Sequence, residues 1–263
     1  TEAADTLNVI NTLALNTASL SGAGKIVVNV DTGTVTLNSA FTGGSGYLEI
    51  TGTATKTITV PSGGDFPNLK LNAANVTISA PSLNAATTTF ASIDLDAGII
   101  NLSNIPTNSV SGVTDIDGGT FTTGDAAVTF AGAVTLDGGV TFTAGAGTVT
   151  FNGAYSQGGT SAATFTGGSG TLDFNNSFTL AALNTFTATS GNMYVREMSV
   201  AGTFTHNNGT LIGDDQNCAC PNINFPNGTT NLYNLTLGSP YGFIITEAAD
   251  TLNVINTLAL NTA

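Results

Sequence analysis

One local pattern governs what this chain can fold into. Apolar–polar–apolar triplets recur along it at steps near 21 residues. One series runs Leu7-Asn8-Val9, Val28-Asn29-Val30, Leu48-Glu49-Ile50, Leu69-Lys70-Leu71 and Ile93-Asp94-Leu95. A second runs Leu13-Ala14-Leu15, Val35-Thr36-Leu37, Ile58-Thr59-Val60 and Val76-Thr77-Ile78, and a third runs Val128-Thr129-Phe130, Val149-Thr150-Phe151, Leu172-Asp173-Phe174 and Met193-Tyr194-Val195. Period-2 alternation marks a strand with one buried face. A 21-residue step is too short for a sandwich domain and suits one coil of a β-solenoid. Val128, Val134 and Val140 each start a triplet, six residues apart, with "AGA" and "DGG" between them. Small and turn-prone residues there predict corners between the faces of one coil.

Composition agrees with strands and turns. The 263 residues include 46 Thr, 28 Asn and 32 Gly, no Trp, and few of the helix formers Glu, Lys, Arg, Gln and Met. We therefore expect an all-β fold: a parallel β-helix, right-handed by the general rule for crossovers, with about 21 residues per coil. The alternative is a series of tandem β-sandwich domains, whose strands also recur at short spacing. No run approaches 18 consecutive apolar residues, so no membrane insertion is expected.

The stretch "TEAADTLNVINTLALNTA" occupies both Thr1–Ala18 and Thr246–Ala263. The division this suggests is one full repeat unit, 1–245, followed by the first coil of the next, 246–263. Weaker echoes lie inside: "FTGGSGYLEI" (Phe41–Ile50) returns as "FTGGSGTLDF" (Phe165–Phe174), and "FPNLKL" (Phe66–Leu71) as "LYNLTL" (Leu232–Leu237). An open strand edge is a template for further strands, so the expected partner is self, with identical repeats stacked end to end and lateral filament neighbours beside them.

Charge limits the partners. Four Lys and Arg stand against 17 Asp and Glu, a net charge of −13. Nucleic acids and anionic membranes need the opposite sign. The bases Lys25, Lys56, Lys70 and Arg196 are far apart in sequence, His206 is the sole histidine, and no nucleophile elbow is present. We expect no enzyme, no catalytic residues and no cofactor beyond loosely bound Ca²⁺. Clustered carboxylates favour that ion; the candidates are Asp115, Asp117, Asp214 and Asp215, none within an established calcium motif. Cys218 and Cys220, the only cysteines, are candidates for a disulfide, with free thiols or a metal site shared with His206 as the alternatives.

Two outer-surface functions are also considered. The T-x-T runs at Thr32–Thr36, Thr51–Thr59 and Thr185–Thr189 suggest ice-binding ranks, but do not recur at each coil step in this reading. Tyr47, Tyr155, Tyr194, Tyr233 and Tyr241 are the aromatic candidates for a glycan site.

The patterns "GTVTLN" (Gly33–Asn38), "GTVTFN" (Gly147–Asn152) and "YNLTL" (Tyr233–Leu237) resemble repeats of large bacterial surface proteins, in the style of filamentous-haemagglutinin adhesins. The resemblance implies a parallel β-helix at an extracellular or cell-surface location. Its implied function is a structural repeat of a filament or stalk; the alternative is an adhesin module that binds glycans or a host surface.

Overall fold

The structure is a computed structural model that describes residues 6–16, 22–38, 44–59, 65–79, 87–105, 107–213, 222–225, 228–238, 244–245 and 251–260. Among these no helix forms, and every strand pairing is parallel. Strands pair between successive coils, not within hairpins, so the fold is a β-solenoid and the tandem-sandwich alternative is excluded.

The coil at 127–144 shows the plan. Three strands, Ala127–Phe130, Val134–Leu136 and Thr141–Ala144, form faces A, B and C. The corners between them are the two small-residue stretches that the sequence marks as turns. Each strand pairs with its counterpart in the next coil: Val128 with Val149, Val134 with Tyr155, and Thr141 with Thr164.

Face B gives the longest continuous column. Partners run Leu7, Ile26, Leu48, Leu69, Ile93, Thr114, Val134, Tyr155, Phe178, Met198, Ile223 and Ile245. The third triplet series is reproduced residue for residue on face A. Three registers differ from expectation. Leu7–Val9 lies against Ile26–Val28, not Val28–Val30; Val28 pairs with Ile50, not Leu48; and Ile58 pairs with Ile78, not Val76. Each slip is of two residues. A strand with period 2 keeps the same side chains inward after such a slip, so alternation alone does not fix the partner.

The core is a set of side-chain columns. On face C, Phe121, Phe142, Phe165 and Phe186 stack with ring centroids 5.0, 4.8 and 4.4 Å apart. On face A, Phe130, Phe151 and Phe174 stack at 5.2 and 4.6 Å. Successive coils place like residues at the spacing aromatic pairs prefer. Tyr155 stands on face B in the same core, stacked on Phe178 at 5.2 Å. Its hydroxyl donates to Gln157 Oε1 at 3.0 Å, and Gln157 Nε2 donates to the carbonyls of Ala163 and Thr185. Asn184 completes the corner by accepting from the Ala163 N–H. These groups are buried, and each hydrogen bond replaces one lost to water.

Corner packing explains part of the glycine content. Gly119 has φ +75°, and a Cβ there would meet the Gly98 carbonyl oxygen at 2.3 Å. Backbone from the coil below fills the space a side chain would need.

The duplicated segment is seated differently at its two positions. Leu7 and Val9 lie on face B beneath Ile26 and Val28, and Leu13 and Leu15 follow beneath Val35 and Leu37. Thr251–Leu260 lies on Thr229–Leu237. Asn234–Leu237 pairs with the face A strand Thr210–Gly213, and Asn222–Asn224 belongs to face B. Thr229–Leu232 falls between them, in the face C position. Leu252 and Val254 are therefore one face further round than their copies Leu7 and Val9.

Two core substitutions test this packing by chemical denaturation. Phe165→Ala should destabilise by about 3–5 kcal/mol, the usual cost of an aromatic cavity. Thr114 carries a buried hydroxyl without a partner, between Ile93 and Val134. Thr114→Val should stabilise by about 1 kcal/mol, because it removes an unpaired polar group at constant shape.

Candidate functional site

Because inward positions are filled by the core, chemistry is left to the outward residues. Face B carries a charged column. Glu49, Lys70, Asp94 and Asp115 are successive register partners. Lys25 pairs with Glu49 at 2.7 Å, and Lys70 bridges Asp94 at 2.8 Å and Asp96 at 2.9 Å. Opposite charges thus alternate up the column as far as Asp94. Above it Asp115 faces Thr135, with Asp117 and Asp137 at the adjoining corner.

The electrostatics follow. Burial opposes the charge on Lys70, but its bonds to Asp94 and Asp96 outweigh that and raise its pKa. Burial raises Asp94, against the pull of Lys70. Asp115 is raised by burial and then by its neighbours Asp117, Asp94, Asp137 and Asp96. Of the calcium candidates, Asp115 and Asp117 lie in this acidic patch. Asp214 and Asp215 lie outside the described residues, as do Cys218 and Cys220. Among the described residues no three His, Cys, Asp or Glu side chains come together as a metal-binding group.

The tyrosines do not converge. Tyr155 belongs to the core and is corrected from surface candidate to structural residue; burial pushes its hydroxyl well above the usual tyrosine range. Tyr47 is 43% exposed, beside an open trough lined by Asn68, Ser92, Asp94 and Val113. Tyr194 pairs on face A with Asp173 and Ile212. The Tyr233 ring lies 6.0 Å from His206. Tyr241 lies outside the described residues.

Face C holds an arrangement the sequence reading denied. Thr-Phe-Thr recurs on five successive coils, at Thr120–Thr122, Thr141–Thr143, Thr164–Thr166, Thr185–Thr187 and Thr203–Thr205. Each phenylalanine points inward, and the two threonines beside it point out. The result is two parallel ranks of five threonines, with rungs about 4.8 Å apart and ranks about 6.6 Å apart by strand geometry. Among the described residues, no hydrogen bond joins any of these ten hydroxyls to another protein group. Below, the ranks give way to Ile99 and Asn101. Above, Thr203–Thr205 has no strand paired to its free edge among the described residues, and it faces Thr229–Asn231 across a trough. Counting phenylalanine-centred triplets, instead of the longest threonine runs, would have found these ranks.

Asp115 gives a pH test. Its folded-state pKa lies above the unfolded value, so it favours folding fully below the unfolded value and loses that contribution as pH rises through the folded one. Asp115→Asn should raise the denaturation midpoint at pH 7. The gain should vanish below about pH 4, where the carboxyl is protonated in both states.

Compared with protein families, with curated protein sequences and with solved structures, the chain matches none.

Proposed function

We propose that the chain is a structural unit of an extracellular filament or cell-surface stalk. The observation that carries this is the parallel ladder on face B, which passes from Leu7 to Ile245 without a break in partner. A rod built this way directs its hydrogen bonds along its length and keeps an apolar column inside. Its function is length and stiffness, and it grows by adding coils. The net charge of −13 keeps neighbouring rods apart. Divalent cations between rods would offset that repulsion.

Immuno-electron microscopy of intact producing cells tests the reading. The expected result is label along surface filaments or stalks. Label confined to the cell interior would sink it. Where bundles form, a chelator should loosen them.

One observation favours a second reading. The two threonine ranks on face C form a regular array of methyl and hydroxyl groups on a rigid ladder, with no internal hydrogen bond to them among the described residues. Such an array is suited to ordered water at an ice surface. Thermal hysteresis of the purified protein checks it. Activity abolished by Thr143→Tyr, with an unchanged melting curve, supports ice binding; absence of hysteresis in the parent protein refutes it.

A further inference from the structure

We infer that the rod carries a hinge between Thr203–Thr205 and Thr229–Asn231. The coils on either side swing about the edge where faces A and B meet, which opens and closes face C. Such a joint acts in any rod of this fold, so it goes beyond the filament reading and does not rest on it.

Two faces hold at this step and one does not. Face A pairs Asn192–Val195 with Thr210–Gly213, and face B pairs Met198 and Ser199 with Ile223 and Asn224. On face C, Thr203–Thr205 pairs below with Thr185–Thr187, and Thr229–Leu232 pairs above with Thr251–Val254, but the two do not pair with each other. Between them lies a trough of about 390 Å³, lined by Thr203, Thr205, His206, Thr229 and Asn231. Strand edges form its walls. The Thr203 N–H donates to the Asn184 carbonyl below, and the Thr205 carbonyl accepts from the Ala188 N–H below. Alternation therefore turns the Phe204 N–H and C=O up into the trough. The Thr251 N–H donates to the Gly228 carbonyl from above, so the backbone groups of Thr229 and Asn231 turn down into it. Bending about the edge between faces A and B breaks no ladder bond, whereas a bend in another direction stretches one of the two ladders that remain.

Local sequence accounts for the parting. The phenylalanine column of face C runs up to Phe204, whose ring stacks 5.8 Å from Phe186. The next inward residue on that face is Thr230, which has no ring to continue the stack. Phe204 is left half-buried, and Phe225 meets it edge-on at 6.1 Å. The corner leading into face C also lengthens, from two residues, 201–202, to four, 225–228. Among the described residues, face C parts at one other step, between Thr34–Leu37 and Lys56–Thr59. There Asp31 staples the corner: its Oδ1 accepts from the N–H groups of Thr53 and Ala54 at 2.7 and 2.6 Å. The upper parting has a trough in place of a staple, and so it is the joint.

Distances between spin labels test the hinge in the full chain carrying Cys218→Ser and Cys220→Ser. Three labelled pairs each span the same number of rungs, about 19 Å by strand spacing. Thr122→Cys with Thr205→Cys stays below the trough on face C. Thr143→Cys with Asn231→Cys crosses it. Thr150→Cys with Thr236→Cys passes the same step on face A. The crossing pair should show a longer mean distance and a broader distribution than the other two. Thr141→Cys with Thr229→Cys, set against Thr120→Cys with Thr203→Cys, repeats the comparison on the neighbouring rank and guards against one variant misfolding. In the unlabelled protein, the Phe204 amide should exchange its hydrogen about tenfold or more faster than the Phe186 amide, which the ladder covers. A crossing pair no broader than its control overturns the hinge. So does a face A pair that is equally broad, because the whole upper coil would then be loose. Equal protection of the Phe204 and Phe186 amides overturns it as well, because face C would then be paired in solution. Surface filaments seen on cells in any of these cases leave the filament reading standing.

Discussion

The structure depends on the backbone ladder that joins each coil to the next. Parallel strands satisfy their N–H and C=O groups only through a neighbouring strand. Here that neighbour comes from about 21 residues along the chain, not from across a hairpin. Each coil therefore needs the next, and no small part of the chain forms a core of its own. Side chains follow from this. A ladder in register stacks like on like, which suits phenylalanine and asparagine and penalises stacked carboxylates. The charged column on face B shows the limit: it alternates sign through Glu49, Lys70 and Asp94, and where no further base is supplied Asp115 stands beside other acids with its pKa raised.

The coils are not fixed to one face by their sequence. The echo pair at Leu48-Glu49-Ile50 and Leu172-Asp173-Phe174 lies on face B in one case and face A in the other. The pair at Leu69-Lys70-Leu71 and Leu235-Thr236-Leu237 is divided in the same way. A triplet supplies two inward apolar groups and one outward polar group, and each face asks for the same supply. Specificity resides in the corners, where Gln157, Asn184 and glycines such as Gly119 meet particular backbone atoms.

That division explains what could be read beforehand. Fold class and step were legible, because inward and outward residues alternate in plain view. The register of Leu48–Ile50 with Leu69–Leu71 and that of the Val128 series were legible from the triplets themselves. The two-residue slips at Ile26 and Ile58 were not, since Ile26, Val28 and Val30 are all inward and the pattern has no preferred origin. Tyr155 was misassigned to the surface because a lone tyrosine suggests a wet hydroxyl. Its partner Gln157 is two residues on and shares its inward face, a pairing of polar groups that alternation does not announce. The threonine ranks were missed because each coil contributes only two threonines, and the ladder alone brings them together.

The offset of the duplicated segment has a geometric consequence. Leu7 stands on face B and its copy Leu252 on face C, so the 245-residue step between them does not close on a whole number of turns. Were that step repeated along a longer rod, any outward feature would point in a new direction at each repeat. The threonine ranks would wind about the axis as a slow spiral and return to the same side only after three units. A rod of that kind has no permanent front or back, and meets its surroundings equally from all sides.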